Sequence, residues 1–434
     1  MDSTSSFEFL QAAAAQWCDT ELNVSSIAEA EQAVLDASRQ IAEAMMSAVA
    51  KKLDERATYD GPRLTCECGG VARFVAYRRR WIRTLCGDIA VSRAYYHCSE
   101  CHRGVSPWDI REGLGERIWS PGLKSLVGEM CARLTYSEVS DLLERALGID
   151  VEESSQQDIV LDLGRRMRRE EQGLISGYFD REEAVVPELE LERLYVCIDA
   201  AKAHTDGAWH DVKTAVVFGG EPSIDKSNRI VDRMIEARYV AAQEPSDLFG
   251  RRVYLRALLS GIERAQEVVV LGDGAEWIWN IAGMHFSGCV EILDYYHACE
   301  HIWKLSGALY GEGSKRGKRW AETHCHRLKE CGPASLLRSL KRRKGRTPAE
   351  KEALRLHLGY FHDHKNRMDY PKYILMGLMI GSGPVESACK VIVGQRLKQA
   401  GMRWTSEGAD SVLALRTAVI SGQPDRIQHV AKAA

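Results

Sequence analysis

The sequence predicts a multi-domain α/β protein whose core is a mixed sheet interrupted by a helical insertion. Three stretches carry that expectation. Leu191-Glu-Arg-Leu-Tyr-Val-Cys-Ile-Asp199 is a nearly continuous apolar run closing on an aspartate, the pattern of a central strand covered on both faces. Val268-Val-Val-Leu-Gly-Asp273-Gly repeats the design. Glu386 follows Gly381-Ser-Gly-Pro384, a helix-entry signal that places it in a first helical turn. Three acids presented from strand and helix ends of one core can hold two divalent cations.

The chain has 434 residues, too many for one ordinary domain. It contains no run of about 18 apolar residues and no charged-then-apolar leader, so neither a membrane span nor a secretory signal is expected, and a cytoplasmic location follows. Charge is distributed unevenly. Lys315 to Arg346 holds twelve Lys and Arg against two acids, a net of +10, whereas residues 1–60 hold eleven acids against four bases. A basic segment of that density suits a polyanion. Of the thirteen cysteines, Cys131, Cys197 and Cys289 sit in apolar contexts as small buried hydrophobes, and no disulfide framework is expected.

In chain order, residues 1–60 contain a long helix. Ser26 is its N-cap, and Ile27, Val34, Ile41, Met45, Val49 and Leu53 form one apolar face, for packing on its own domain or for dimerisation. Residues 61–112 read as a zinc-ribbon-like β module. Cys66-Glu-Cys68 and Cys98-Ser-Glu-Cys101 flank two strand-like runs, 71–84 and 89–96, joined at Cys86-Gly87-Asp88. Two knuckles brought together by a hairpin supply four thiolates for a structural zinc ion, with His102 an alternative fourth ligand. Arg78, Arg79, Arg80 and Trp81 on the first strand interleave cations with an aromatic, which suits nucleic-acid contact as well as a charge-protected edge.

Residues 113–185 read as a helical, helix-turn-helix-like DNA-binding domain. Helices are expected over 121–131, 137–147 and from about Ser154. Gln156 and Gln157 suit base edges, and Arg165 and Arg166 suit phosphates. The core then occupies 186–300 and 381–434, with a basic α-helical insertion at 301–380. After the Asp199 strand a hairpin is expected, from His210–Phe218 through a turn at Gly219-Gly220 to Arg229–Tyr239. A helix over 245–264, a strand ending at Asp273, a helix and a strand ending at Asp294 follow. Strand, hairpin, helix, strand, helix, strand is the order of an RNase H-like mixed sheet. Its chemistry is phosphoryl transfer with two Mg²⁺ (or Mn²⁺) ions: Asp199 bridges both, and Asp273 and Glu386 each hold one.

At these residues the chain resembles bacterial transposases of the ISKra family of insertion sequences, DDE enzymes allied to the Mutator and hAT groups. The resemblance runs from the knuckle at Cys66 to the Trp404 region. It places the catalytic triad on Asp199 in Val-Cys-Ile-Asp-Ala, Asp273 in Leu-Gly-Asp-Gly-Ala and Glu386 in Gly-Ser-Gly-Pro-Val-Glu-Ser. Asp294-Tyr-Tyr-His297 matches the group's C/D-x-x-H motif, and the helical insertion before the glutamate, with Lys341, Arg342, Arg343 and Lys344, is likewise implied. So is a DNA-contacting tail carrying Arg396, Lys398, Arg403 and Trp404. The tight C-x-C first knuckle departs from the usual C-x-x-C spacing. The resemblance implies a transposase that cleaves transposon ends and joins the freed 3′-hydroxyl to target DNA. Its expected partners are terminal inverted repeats, target DNA and further copies of itself, at the bacterial nucleoid. A nuclease of the same chemistry without strand transfer, and a transposase-derived DNA-binding regulator, are the alternatives.

Overall fold

The computed structural model describes residues 12, 14–19, 23–115, 117–225 and 228–433. Two compact units emerge. One comprises Met1–Val127, Tyr136–Gln156 and Gln428–Ala434; the other comprises Gly128–Thr135 and Gln157–Ile427.

In the first unit, helix α1 (Ile27–Arg56) starts at Ser26, whose side chain accepts the N–H of Glu29. The face that packs shares only Leu53 with the one the periodicity selects. Ala50 and Ala57, with Met46 and Leu53, close on Ile82, Ile89, Val91, Trp108 and Leu114. Ile27, Val34, Ile41, Met45 and Val49 remain exposed. Strands β1 (Arg63–Thr65), β2 (Val71–Thr84), β3 (Gly87–Cys98) and β4 (Gly104–Val105) form an antiparallel sheet in that order, dominated by the long β2–β3 hairpin. A second apolar cluster, including Ala72, Ala94 and Tyr96, seats the cysteines at its base.

Helices α2 (Pro107–Arg111), α3 (Pro121–Arg133), α4 (Tyr136–Leu147) and α5 (Glu153–Arg181) follow. The second unit is built on a five-stranded mixed sheet of order β7-β6-β5-β8-β9. Its strands are β5 (Arg193–Thr205), β6 (Ala208–Ile224), β7 (Ile230–Ala242), β8 (Glu267–Gly272) and β9 (Val290–Leu293). Strand β6 runs antiparallel to both neighbours, and β5, β8 and β9 run parallel. Leu194 to Ile198 are wholly buried, as strands covered on both faces require. Helices α6 (Ser246–Leu259) and α7 (Glu276–His285) flank β8 in sequence. Helices α8 (Tyr295–Tyr310), α9 (Lys315–Cys331), α10 (Pro333–Lys341), α11 (Pro348–Asp363) and α12 (Tyr370–Leu375) make up the insertion. Helix α13 (Gly383–Ala388) runs on through a π-helical segment, Cys389–Gly394, and a short helix α14 (Gln395–Leu397); α15 (Ser406–Ile420) and α16 (Asp425–Lys432) close the chain.

Two expectations about this sheet are corrected. Asp199 does not end its strand: β5 continues to Thr205 and turns at Asp206-Gly207, both at positive φ. Gly219-Gly220 is not a turn either, for it lies inside β6 at a bulge. A Cβ on Gly220 would stand 2.6 Å from the Tyr195 ring and 2.7 Å from the Asp232 carboxylate. Glycine is needed there for close approach, not for a reversal of the chain.

Candidate functional site

The sheet register brings the acids together. Strands β5 and β8 pair as far as Cys197 opposite Leu271, and β8 and β9 as far as Gly272 opposite Leu293. Continuing those rows sets Asp199, Asp273 and Asp294 side by side at the carboxyl edge of β8 and β9, with strands about 4.8 Å apart. Ligand sites of open α/β sheets form at that edge.

Each acid is held differently. Asp199 Oδ1 accepts the N–H of Ala200 at 2.7 Å, and Oδ2 faces the Cys389 thiol at 3.7 Å. Burial raises its carboxyl above the usual range. The Ala200 N–H and His297 oppose the rise, and the charge of Asp273 adds to it. Asp273 Oδ1 accepts the N–H of Ala275 at 2.9 Å, and its carbonyl accepts the Tyr360 hydroxyl at 3.1 Å. Gly274 allows this turn, at φ +105° and with Tyr360 Oη 3.0 Å from where a Cβ would sit.

Asp294 is fully buried and caps α8, accepting the N–H groups of Tyr296 at 2.5 Å and His297 at 3.1 Å. Its other oxygen accepts the N–H of Ser382 at 2.6 Å and also faces the Ser382 hydroxyl. That hydroxyl lies 3.2 Å from Glu386 Oε1, so one proton is shared between two carboxylates. One ligand atom each from Asp294, His297 and Glu386 lies within 4.8 Å of the others, a group able to hold a metal ion. This grouping was not foreseen from sequence as a ligand set. Asp199 is tied to it through Cys389, three residues beyond Glu386 and on the same helical face. That spacing was readable in the sequence; the bond from Ser382 to Asp294 was not.

The second metal-capable group is Cys66, Cys68, Cys98 and Cys101, whose sulfurs also lie within 4.8 Å of one another. The Cys66–Cys101 and Cys68–Cys98 separations are 3.6 and 3.7 Å. Tetrahedral thiolates about 2.3 Å from a metal ion stand about 3.8 Å apart, a spacing that these two separations match. The tight first knuckle closes through Gly69 at φ 86° and a Cys66 N–H bond to the Gly70 carbonyl at 2.8 Å. Hydrogen bonds from the backbone of Cys101 and Glu100 hold the Cys98 thiol down to about 7, while the neighbouring thiols push Cys68 up to about 12, so one proton is set against another within the cluster. His102 is exposed and outside the group; Cys86 is exposed in the hairpin turn.

The side chains assigned to nucleic-acid contact divide sharply. Arg79 and Trp81 are exposed on β2, with the guanidinium 5.7 Å from the indole, and Arg78 lies exposed over the Tyr95 ring at 3.8 Å. Gln157, Lys341, Arg342, Lys344, Lys398 and Arg403 are exposed as well. Three assignments are corrected. Arg80 is turned inward, paired with Asp109 at 2.6 Å and bonded to the carbonyls of Leu114, Gly115 and Arg117. Gln156 is wholly buried and donates to Ser140 Oγ and the Val151 carbonyl, so its amide is spent on the fold. Arg396 is wholly buried, bonded to the Cys131 carbonyl at 2.9 Å and packed 4.9 Å from the Trp404 ring. Arg343 packs over Tyr310 at 4.7 Å and Trp320 at 5.7 Å. Trp404 is half-buried and bridges Thr205 through its backbone. Arg165 is exposed but paired with Glu407, and Arg166 pairs with Asp162 one turn earlier.

Known proteins add nothing to this geometry: no family model matches the chain, and no curated protein matches its sequence.

Proposed function

We propose that the protein is a DNA transposase that cleaves transposon ends by hydrolysis and then transfers the freed 3′-hydroxyl into target DNA. The observation that carries the reading is the metal-capable group of Asp294, His297 and Glu386, with Asp199 and Asp273 on the neighbouring strands although neither belongs to that group. A sheet in which only β6 is antiparallel, ordered third-second-first-fourth-fifth, supports an RNase H-like core. The donor set fits hard divalent cations: it is rich in carboxylate oxygen, and like charges crowd together where Asp273 pushes on Asp199. Two Mg²⁺ or Mn²⁺ ions, when bound, supply activation of the attacking oxygen and stabilisation of the leaving one. Asp199, Asp273 and Glu386 are the residues that would hold them. Asp294 positions the site, since its oxygens already hold α8 and Ser382 in place.

For the four-cysteine group the reading is a structural zinc ion, supported by the near-tetrahedral sulfur spacing. Exposed cations on β2 and the insertion are suited to DNA phosphates. Two transposon ends must be held together, so a homo-oligomer belongs to the proposal. The exposed stripe Ile27, Val34, Ile41, Met45 and Val49 is an apolar surface suited to self-association.

The test is an in vitro reaction with Mg²⁺ on the DNA flanking the source gene, sequencing cleavage and joining positions. Asp199→Asn is expected to lower cleavage by at least about 10³-fold with normal thermal unfolding. Undiminished cleavage by that variant would sink the metal-triad assignment. Cleavage without a joined product would favour the nuclease reading, and DNA binding without cleavage the regulator.

A further inference from the structure

Away from the acids, the second unit buries an unbalanced cluster of guanidinium groups between α5, α6, β7, α15 and α16. Arg256 of α6 is 4% exposed, and neither its Nε nor its Nη1 has a hydrogen-bond partner. Glu188 Oε2 stands 3.9 Å from Nη1, outside hydrogen-bond reach. Native interiors rarely tolerate a buried charged donor in that condition.

Those nitrogens belong to a residue lining a cavity of about 10 Å³, together with Arg168, Glu171, Tyr239, Thr417 and Arg426. The lining thus carries three guanidinium groups and one carboxylate. That carboxylate is already engaged, because Glu171 accepts from Arg168 and from Arg252. Arg252 in turn is held bidentately by Glu244 at 2.7 and 2.9 Å. Arg168 directs its other nitrogen to the carbonyls of Ala241 and Asp410. Arg256 is left with Glu188 at 3.9 Å, beyond hydrogen-bond reach, and with the like charge of Arg426 against it. The Arg256 guanidinium is correspondingly easier to deprotonate, lowered to about 10 first by burial and then by Arg426.

We infer that this cavity is a binding site for a monoatomic anion, chloride at physiological salt, held by Arg256, Arg168 and Arg426. Size selects the ligand class. The space is about that of one water, too small for phosphate, acetate or a nucleotide. Charge selects between a halide and a water. A water donates two hydrogens, whereas the charged groups facing this space are three guanidinium groups, donors only, and one carboxylate whose Oε2 already accepts from Arg168 and Arg252. A halide accepts from every side and cancels the surplus. Its role is structural: it ties four helices to β7. The inference does not rest on the transposase reading.

The experiment is thermal unfolding of the full chain in sodium chloride exchanged for sodium gluconate at constant ionic strength. The melting temperature is expected to rise saturably with chloride, on the order of 5 °C at a hundred times the dissociation constant, with bromide able to replace chloride. Arg256→Met should abolish the dependence, and the half-buried Arg426→Gln should weaken it if the first variant does not fold. Bromide anomalous scattering from crystals of the wild-type chain reads the occupant directly. A melting temperature indifferent to chloride, or a cavity holding water with no bromide peak, would overturn the inference.

Discussion

Arg78, Arg79 and Arg80 are consecutive and chemically equal, yet alternation along β2 puts Arg79 on the opposite face from Arg80, and Arg80 is the one that Asp109 meets. Arg80→Ala should therefore lower stability by about 3 kcal/mol in urea titrations, because it strips partners from a nearly buried carboxylate and three carbonyls. Arg79→Ala should leave stability nearly unchanged and weaken DNA binding; equal destabilisation by the two changes would refute this division. Gln156 tells the same story on a helix. Its position near the start of α5 advertises a base-reading amide, but Ser140 and Val151 consume it. Nothing in a local window distinguishes Gln156 from the exposed Gln157, since the partners arrive from sixteen and five residues away.

At the scale of elements, the cysteine hairpin and the insertion helices make separate claims. The β1–β4 sheet has a small core of its own, and the four thiolates sit at its base. Chelation, or the double change Cys98→Ser with Cys101→Ser, should remove one bound zinc per chain by metal analysis and lower the melting temperature of the ribbon. Full zinc retention by the double variant would place the ion elsewhere. In the insertion, His301 of α8 stands 3.2 Å from His357 of α11, nitrogen to nitrogen, and stacks on Tyr360 at 3.6 Å. Burial first, then His357 and other nearby cations, pushes His301 down to about 4, from an ordinary value near 6.5. A folded pKa below the unfolded one means the unfolded chain takes up the proton first. Stability is thus complete above about pH 6.5 and falls as pH drops toward 4. Since Tyr360 also holds the Asp273 turn, acidification should loosen the insertion where it meets the acids. His301→Gln should flatten the fall in melting temperature between pH 7 and pH 5; an unchanged slope would show that other groups carry it.

For the whole molecule, the uneven charge makes a quantitative claim about DNA. Lys341, Arg342 and Lys344 are exposed within the basic insertion, and each phosphate contact adds about 0.9 to the slope of log affinity against log salt. Replacing all three with glutamine should reduce that slope by about 2.7 if they bind duplex phosphates, without changing which sequence is preferred. A slope that stays at the wild-type value would move the DNA path to another surface, of which the Arg79 and Trp81 face of β2 is the next candidate.

Sequence by itself determined the helices, the cysteine hairpin, the strands that carry or precede the acids and the helix entry at Pro384. Those are local: an apolar period, a cap or a turn residue is enforced within a few neighbours. It misjudged the bulge at Gly219-Gly220 and the length of β5, because a glycine chosen for close approach and a strand prolonged by its partner look, in one dimension, like a turn and an end. Only tertiary structure decided that the packed face of α1 is its alanine side, that Arg80, Gln156 and Arg396 are interior, and that Asp294 joins Glu386 through Ser382. These depend on which distant groups arrive beside them, and a buried polar atom must find its partner wherever the fold supplies one.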